Sequence, residues 1–343
     1  MQNTDIKLTI SSSPHVRISE GTSSIMLDVI IALIPALAVA MYIFGFQAFI
    51  LNCVSVAAAV FFEWAYRKLL KKSKSIGDLS AVVTGILLAY CLPVSTPLWI
   101  VIVGNFFAIV IVKQLFGGIG QNFVNPALAA RAFLFSYPVV MSTWVRPLSY
   151  TSFFDIKMTD AVTGATPLAS LSNKTLPEGL NLMQAFFGQV GGSMGEVSAF
   201  ALILGGIYLI IRKVISPRIP LAYLLTVAVI TFIFPRGNDN LIWMAWNLFS
   251  GGVMLGAIFM ATDYTTSPIT PWGQVIFGIG CGLLTVFIRY FGSYPEGTSY
   301  AILLMNICVW LIDKATMPRR FGYTREMKRA DKEKMKAEKE ANA

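Results

Sequence analysis

The sequence predicts an all-α polytopic integral membrane protein, and three observations support this. Hydrophobic residues make up 55% of the 343 residues, and the mean hydropathy is +0.66. Charged residues make up 13%, against about 25% in ordinary soluble domains. Several apolar runs reach the length of about 20 residues that a helix needs to cross a bilayer. A water-soluble surface cannot be built from so few charges, whereas lipid contact requires none.

Ten apolar segments are predicted to be transmembrane helices. They are too uniformly apolar for barrel strands, in which the side chains alternate, and an isolated backbone in lipid must otherwise be helical. Five segments in each half predict a 5+5 inverted repeat, which a weak similarity between residues 79–97 and 249–268 supports. The segments are 26–46, 48–66, 79–94, 98–115, 124–141, 197–211, 221–234, 241–261, 275–291 and 299–312.

The distribution of Lys and Arg predicts the orientation. With the amino terminus in the cytoplasm, 21 of the 27 Lys and Arg residues fall on the cytoplasmic side and five outside, with Arg131 inside a span. Cytoplasmic segments carry such an excess, so both termini are predicted to be cytoplasmic. The predicted parts are a cytoplasmic segment (1–25), a first transmembrane half (26–141), an extracytoplasmic loop (142–196), a second transmembrane half (197–313) and a basic cytoplasmic tail (314–343).

Composition also excludes several kinds of site. The tail supplies +5 of the net charge of +9, and its mixed charges are typical of a solvated extension, so we expect no nucleic-acid binding. His15 is the one histidine, and no two of the four cysteines are close in sequence. Metal, iron–sulfur and haem sites are therefore not expected, and we expect the cysteines to be small buried hydrophobic residues.

The extracytoplasmic loop contains Thr163-Gly164-Ala165-Thr166, followed by Pro167. A hydroxyl beside small residues on such a loop is open to a modifying enzyme. The alternative interpretation is an ordinary turn, in which Gly164 supplies conformational freedom and Pro167 fixes the exit.

With its other motifs, this string makes the chain resemble the D subunits of Rnf ion-translocating electron-transport complexes and the paralogous B subunits of the sodium-translocating NADH:quinone reductases. The resemblance extends from about residue 6 to 323, and the short amino terminus is more similar to the Rnf subunits. Besides residues 163–166, the motifs that carry it are Ser13-Pro14-His15, LFGGIGQNFVNPA at 115–127, GSMGE at 192–196, MATD at 260–263 with Ser267-Pro268, and YPEG at 294–297.

The resemblance implies a site and a role. It implies that Thr166 carries FMN through a phosphoester, with Thr163, Gly164 and Ala165 as supporting motif residues, and that a separate flavin transferase makes the bond outside the cytoplasm. It implies a multi-pass subunit of a bacterial inner-membrane complex that couples electron transfer of the ferredoxin/NAD type to the movement of H⁺ or Na⁺. The alternatives are the quinone-reductase subunit and an inverted-repeat channel or transporter.

Residues 117–126 form a second candidate site. Asn125 and Pro126 are predicted to be the N-cap and first residue of a helix, whose free N–H groups suit a phosphate or a flavin carbonyl. The alternative is a plain turn between helices. We expect Gly118, Gln121, Asn122 and Asn125 to contact a flavin, which the resemblance suggests is riboflavin.

Three charged residues in or beside predicted spans are further candidates. An ionisable residue inside a span marks function by default, so Arg131 is predicted to position a flavin or stabilise an anion. The alternatives are that it reaches the membrane surface or pairs with Asp263 or Asp78. Asp263 is a candidate for an ion path, although helix capping also explains it, and Glu196 is expected to favour the start of a helix.

Overall fold

The computed structural model describes residues 21–71, 76–148, 153–154, 166–177, 179–196, 198–237, 239–292 and 296–318. Regular secondary structure in these residues is helical, which confirms the predicted all-α class. Thr163, Gly164 and Ala165 lie outside the described residues, as do the Ser13-Pro14-His15 motif and most of the basic tail.

Six helices precede the predicted loop. They are α1 (Thr22–Phe44), α2 (Phe46–Leu69), α3 (Ser80–Tyr90), α4 (Leu98–Phe106), α5 (Pro126–Leu134) and α6 (Pro138–Met141). A 3-10 turn at Ile76–Asp78 leads into α3, and α4 continues without a break as a π-helix at Phe107–Gln114.

Eight more helices come after α6. They are α7 (Pro167–Ser172), α8 (Leu182–Phe187), α9 (Ala199–Ile211), α10 (Arg218–Ile233), α11 (Asn240–Phe249), α12 (Val253–Leu255), α13 (Pro271–Phe291) and α14 (Thr298–Thr316). The first two of them, α7 and α8, lie within the predicted loop. A second π-helix, Gly256–Met260, continues α12.

Four described helices, α1, α2, α13 and α14, are long and apolar enough to cross a bilayer. The bent pair formed by α11 and residues 253–260 makes a fifth if it is counted as one span. The prediction of ten full spans is not confirmed, because several apolar segments fold into shorter helices. Segment 79–94 gives the 11-residue α3, and segment 124–141 gives the nine-residue α5, with the separate α6 starting at Pro138.

A break at residues 250–252 divides the predicted segment 241–261. The two helical parts are bent by 65°, and Gly251 has a φ of +70°, a left-handed conformation that glycine adopts without strain. Arg289 of α13 donates to the carbonyls of Asn247 (2.5 Å) and Ser250 (2.9 Å). The guanidinium thus satisfies carbonyls that the end of α11 leaves without helical partners.

Two short helical segments lie in the interior, and longer helices surround them. Every residue of α3 except Val82 is buried, and so is every residue from Val253 to Met260. On the surrounding helices large apolar side chains are exposed, such as Leu225, Phe287 and Trp310. An apolar surface of this kind is suited to lipid.

Small residues bring neighbouring helices close together. A Cβ at Gly205 of α9 would overlap the carbonyl of Ala32 in α1, and one at Gly278 of α13 would lie 2.9 Å from the carbonyl of Ile219 in α10. Of the cysteines, Cys91 and Cys281 are buried as expected, whereas Cys308 is only half-buried and Cys53 is exposed on α2.

Two basic residues counted as loop charges are buried instead. Lys113 is 2% exposed and Arg289 is 6% exposed, because each has partners inside the bundle. Without them the counts of Lys and Arg become 20 and four, which still favours the same orientation.

Candidate functional site

Two cavities lie at opposite ends of α5. The first, the Thr166 cavity, has a volume of about 220 Å³ and is bounded near the end of α5 by Phe135. The second, the Asn125 cavity, has a volume of about 480 Å³ and includes Asn125 and Pro126 at the start of α5. The nine residues of α5 separate the two along the helix axis by about 14 Å at 1.5 Å per residue.

Thr166 lies in the lining of the first cavity. It occupies the N-cap position of α7, but its side chain makes no capping hydrogen bond, and the residue is half-buried. The hydroxyl is therefore not committed to the role that threonine usually has at this position. Trp144, Phe249 and Leu168 supply much of the apolar wall, which suits the ring system of a flat cofactor.

The floor of the Thr166 cavity contains two carboxylates paired with a buried arginine. Arg131 is 2% exposed; its Nη1 donates to Glu196 Oε1 at 2.5 Å, and its Nη2 donates to Glu296 Oε2 and to Ser193 Oγ (3.3 Å). Both glutamates line the cavity, whereas Arg131 does not. A single guanidinium thus faces two carboxylates, and the local charge is −1 if all three groups are ionised.

The position of Glu196 depends on the segment before α9. The N–H groups of Met194 and Gly195 donate to the carbonyls of Leu92 and Tyr90 at 3.0 Å each, which docks the segment on the carboxyl end of α3. A Cβ at Gly195 would overlap the ring of Tyr90, so glycine is required there. Because of this docking, Glu196 pairs with Arg131. It does not take the role at the start of a helix that was expected for it.

The lining also contains two polar atoms without partners among the described residues. Glu196 Oε2 and Ser250 Oγ are buried and make no hydrogen bond. Leaving a buried polar group unsatisfied costs about 1–3 kcal/mol, and such atoms in a cavity suit a polar ligand. The residues present therefore fit a flavin attached to Thr166, with an apolar wall, a polar floor and a hydroxyl that does not cap α7.

The Asn125 cavity is built around the start of α5. The side chain of Asn125 accepts from the N–H groups of Ala127 (3.0 Å) and Leu128 (3.3 Å), with Pro126 as the first helical residue. This confirms the predicted helix start. Asn125 Nδ2 also donates to the carbonyl of Met260 at 3.2 Å, where the second π-helix ends. One side chain thus joins the two halves of the chain.

Residues 117–126 only partly line this cavity. Asn122 and Asn125 face it, and Asn122 Oδ1 is buried without a partner among the described residues. Gly118 and Gln121 do not line it: Gly118, with a φ of +99°, packs near Arg67, and the exposed Gln121 folds over Gly117. Asp263 does line the cavity and accepts from the hydroxyls of Thr265 (3.0 Å) and Thr266 (3.2 Å).

A second buried ion cluster borders the Asn125 cavity. Lys113 Nζ donates to Glu63 Oε2 at 2.8 Å and to Ser80 Oγ at 2.6 Å. Arg67 Nε lies 3.7 Å from Glu63 Oε1. Lys113 and Ser80 line the cavity, whereas Glu63, the carboxylate paired with Lys113, does not.

Several of these residues were not predicted from the sequence. The alternative interpretation of Arg131 named Asp263 or Asp78 as its partner, but the partners are Glu196 and Glu296. Neither Glu63 nor Lys113 was singled out, although Glu63 lies inside a predicted span, where a charge is costly unless it is paired. Its position inside a span could have identified Glu63 as a candidate. Nothing in the sequence indicated that Glu196 and Glu296 would pair with Arg131.

A comparison with protein families shows which family the chain is related to. The model of the NQR2, RnfD, RnfE family matches residues 9–322. This chain belongs to that family. The resemblance inferred from the motifs is therefore confirmed.

Individual members of the family match almost end to end. The D subunit of the Na⁺-translocating ferredoxin:NAD⁺ oxidoreductase complex of Acetobacterium woodii is 51% identical over 329 residues, covering 95% of this chain and 99% of that protein. The D subunit of the proton-translocating ferredoxin:NAD⁺ oxidoreductase complex of Clostridium ljungdahlii is 43% identical, covering 92% and 97%. The D subunit of the ion-translocating oxidoreductase complex of Actinobacillus succinogenes is 37% identical, covering 92% and 98%.

Proposed function

We propose that this chain is the D-type membrane subunit of an ion-translocating ferredoxin:NAD⁺ oxidoreductase complex, and that Thr166 carries FMN through a phosphoester. The names of the Acetobacterium and Clostridium relatives support the complex. The observation that carries the cofactor is a Thr166 hydroxyl that does not cap α7, beside a cavity whose lining holds polar atoms without partners among the described residues.

Different residues of this site would have different roles. A flavin transferase would place the phosphate on Thr166 Oγ, and the covalent bond prevents loss of the cofactor at a membrane surface. Trp144 and Phe249 would pack against the ring and exclude water, while Glu196 and Ser250 face it from the floor. Bound there, FMN would supply one- or two-electron transfer, the chemistry that cofactors bring to such proteins.

We further propose that the Asn125 cavity holds a noncovalent flavin, with riboflavin as the candidate. Its larger volume, the unpartnered Asn122 Oδ1 and the ammonium of Lys113 support a flat polar ligand. With a flavin in each cavity, the two ends of α5 would hold the two groups that supply one- or two-electron transfer. The excess of Lys and Arg at the end with the Asn125 cavity supports placing the Thr166 cavity outside the cytoplasm of a bacterial inner membrane.

Coupling to ion movement sets an energy requirement. Moving one charge against 100 mV costs about 2.3 kcal/mol, so each electron step that drives transport must release at least that amount. The two relatives are named for different ions, Na⁺ and H⁺.

The ten-span bundle with inverted halves remains part of the proposal. In such a bundle the two cavities would face opposite sides of the membrane.

Covalent attachment is tested by ultraviolet fluorescence on a denaturing gel and by the mass of the Thr166 peptide. The chain is expressed with a flavin transferase, beside Thr166→Ala and the matched control Thr175→Ala, which changes an exposed threonine in the same region. Fluorescence is expected in the wild type and Thr175→Ala and not in Thr166→Ala. Fluorescence in all three lanes would mean a wrong site, and fluorescence in none would favour a channel or transporter.

A further inference from the structure

Two side chains in the Thr166 cavity are matched to one kind of ligand edge. Glu196 is 4% exposed and Ser250 is 2% exposed, and Glu196 Oε2 and Ser250 Oγ make no hydrogen bond among the described residues, although the carboxyl group of Glu196 also lies beside that of Glu296. A carboxylate oxygen accepts hydrogen bonds, and a hydroxyl can also donate one. The pair therefore suits a ligand that presents an N–H next to a carbonyl oxygen.

The isoalloxazine ring of a flavin carries such an edge, an imide in which N3–H lies between two carbonyl groups. The two arginines near the floor do not line the cavity, although the Nε atom of each is also buried without a partner among the described residues. Arg131 donates to Glu196 Oε1, to Glu296 and to Ser193, and Arg289 donates to backbone carbonyls of residues 247 and 250. Glu196 Oε2 and Ser250 Oγ remain to meet the ring.

We propose that Glu196 and Ser250 hold the imide edge of the flavin ring, with Glu196 Oε2 accepting from ring N3–H and Ser250 Oγ donating to an adjacent ring carbonyl. This inference rests on the proposed attachment of FMN to Thr166. Arg131 acts as a positioning residue, because its Nη1 holds the other oxygen of Glu196 at 2.5 Å and so directs Oε2 into the cavity.

This arrangement makes the two contacts act on the flavin potential in opposite directions. Reduction places additional electron density on the pyrimidine ring, which a nearby carboxylate disfavours and a hydrogen-bond donor at a carbonyl stabilises. Glu196→Gln is therefore expected to raise the midpoint potential of the covalent flavin, and Ser250→Ala is expected to lower it. Glu196→Asp keeps the charge and is expected to shift the potential less than Glu196→Gln does.

The experiment is a spectroscopic redox titration of the full chain, expressed with a flavin transferase. The mass of the Thr166 peptide is measured first for every variant, and Thr166→Ala is titrated in parallel so that the signal of any other flavin can be subtracted. Glu63→Gln is the matched control, because it also neutralises a buried glutamate paired with a cation, but in the cluster that borders the Asn125 cavity. It is expected to leave the potential of the covalent flavin unchanged.

The outcomes separate the two proposals. A Thr166 peptide without the added FMN mass overturns the proposed function itself. A modified peptide with opposite shifts for Glu196→Gln and Ser250→Ala supports the inference. Shifts in the same direction, no shift, or an equal shift in Glu63→Gln would overturn it while leaving the attachment intact. If Glu196→Gln does not fold, the signs and sizes for Ser250→Ala and Glu196→Asp decide.

Discussion

The two buried ion clusters differ in the ratio of their charges. The Arg131 cluster places two carboxylates around one guanidinium, and both carboxylates face the Thr166 cavity. The cluster beside the Asn125 cavity places Lys113 and Arg67 around Glu63, and of these three only Lys113 lines the cavity. Among the described residues, the charged groups that line the Thr166 cavity are two carboxylates, whereas Lys113 and Asp263 give the Asn125 cavity one charge of each sign.

The difference shows how one bundle can give two similar ligands different redox potentials. A carboxylate beside a flavin opposes its reduction, whereas an ammonium favours the anionic reduced form. Two chemically related flavins at opposite ends of α5 would then have different potentials, which gives electron transfer between them a direction. The proposed order places the lower potential at the Thr166 cavity.

The largest expected effect comes from removing the shared cation of the first cluster. Arg131→Met leaves Glu196 and Glu296 buried without a counter-charge, and breaking a buried ion pair in this way typically costs about 3–5 kcal/mol. The free energy of unfolding of the purified chain in detergent, measured by denaturant titration, is expected to fall by that amount. Arg131→Met combined with Glu196→Gln and Glu296→Gln is the control and is expected to recover much of the loss. An unchanged stability of the single variant would contradict the cluster.

A smaller effect is expected at the second cluster. Lys113→Met leaves Glu63 beside Arg67 at 3.7 Å, so the carboxylate keeps one counter-charge, and we expect a loss of about 1–3 kcal/mol. The same denaturant titration in detergent measures it. Replacing Glu63 and Lys113 together by methionine is expected to be closer to neutral. A loss as large as that of Arg131→Met would remove the distinction between the clusters.

The smallest expected effect concerns binding rather than folding. Asn122→Ala removes an unpartnered amide oxygen from the Asn125 cavity, and losing one hydrogen bond of about 1 kcal/mol weakens a noncovalent flavin about fivefold. The flavin released by acid denaturation, separated from the covalent flavin and quantified by chromatography, is the measurement. Gln121→Ala is the matched control, because Gln121 lies outside the lining, and it is expected to retain the flavin. An equal loss of flavin in both variants would contradict a specific contact from Asn122. It would indicate instead that the whole 117–126 segment contributes to binding.

The accuracy of the sequence-based predictions depended on whether a feature is local. Asn125-Pro126 predicted its own helix start correctly, because capping involves residues two or three positions apart. The spacing of apolar residues predicted the helical class but not the lengths of the helices. Segments 79–94 and 241–261 are apolar along most of their length. In the folded chain the first forms only the short helix α3, and the second is divided by the break at Gly251.

The sequence by itself determined the class and the family of the protein, since composition and short motifs are written along the chain, and it predicts Thr166 as the attachment site. The tertiary structure decided which charges meet. Glu196 and Glu296 lie 65 and 165 residues from Arg131, and no spacing rule joins positions so far apart. A buried charge takes whichever partner the packing brings to it, because remaining unpaired in an apolar interior costs more free energy than any local preference supplies.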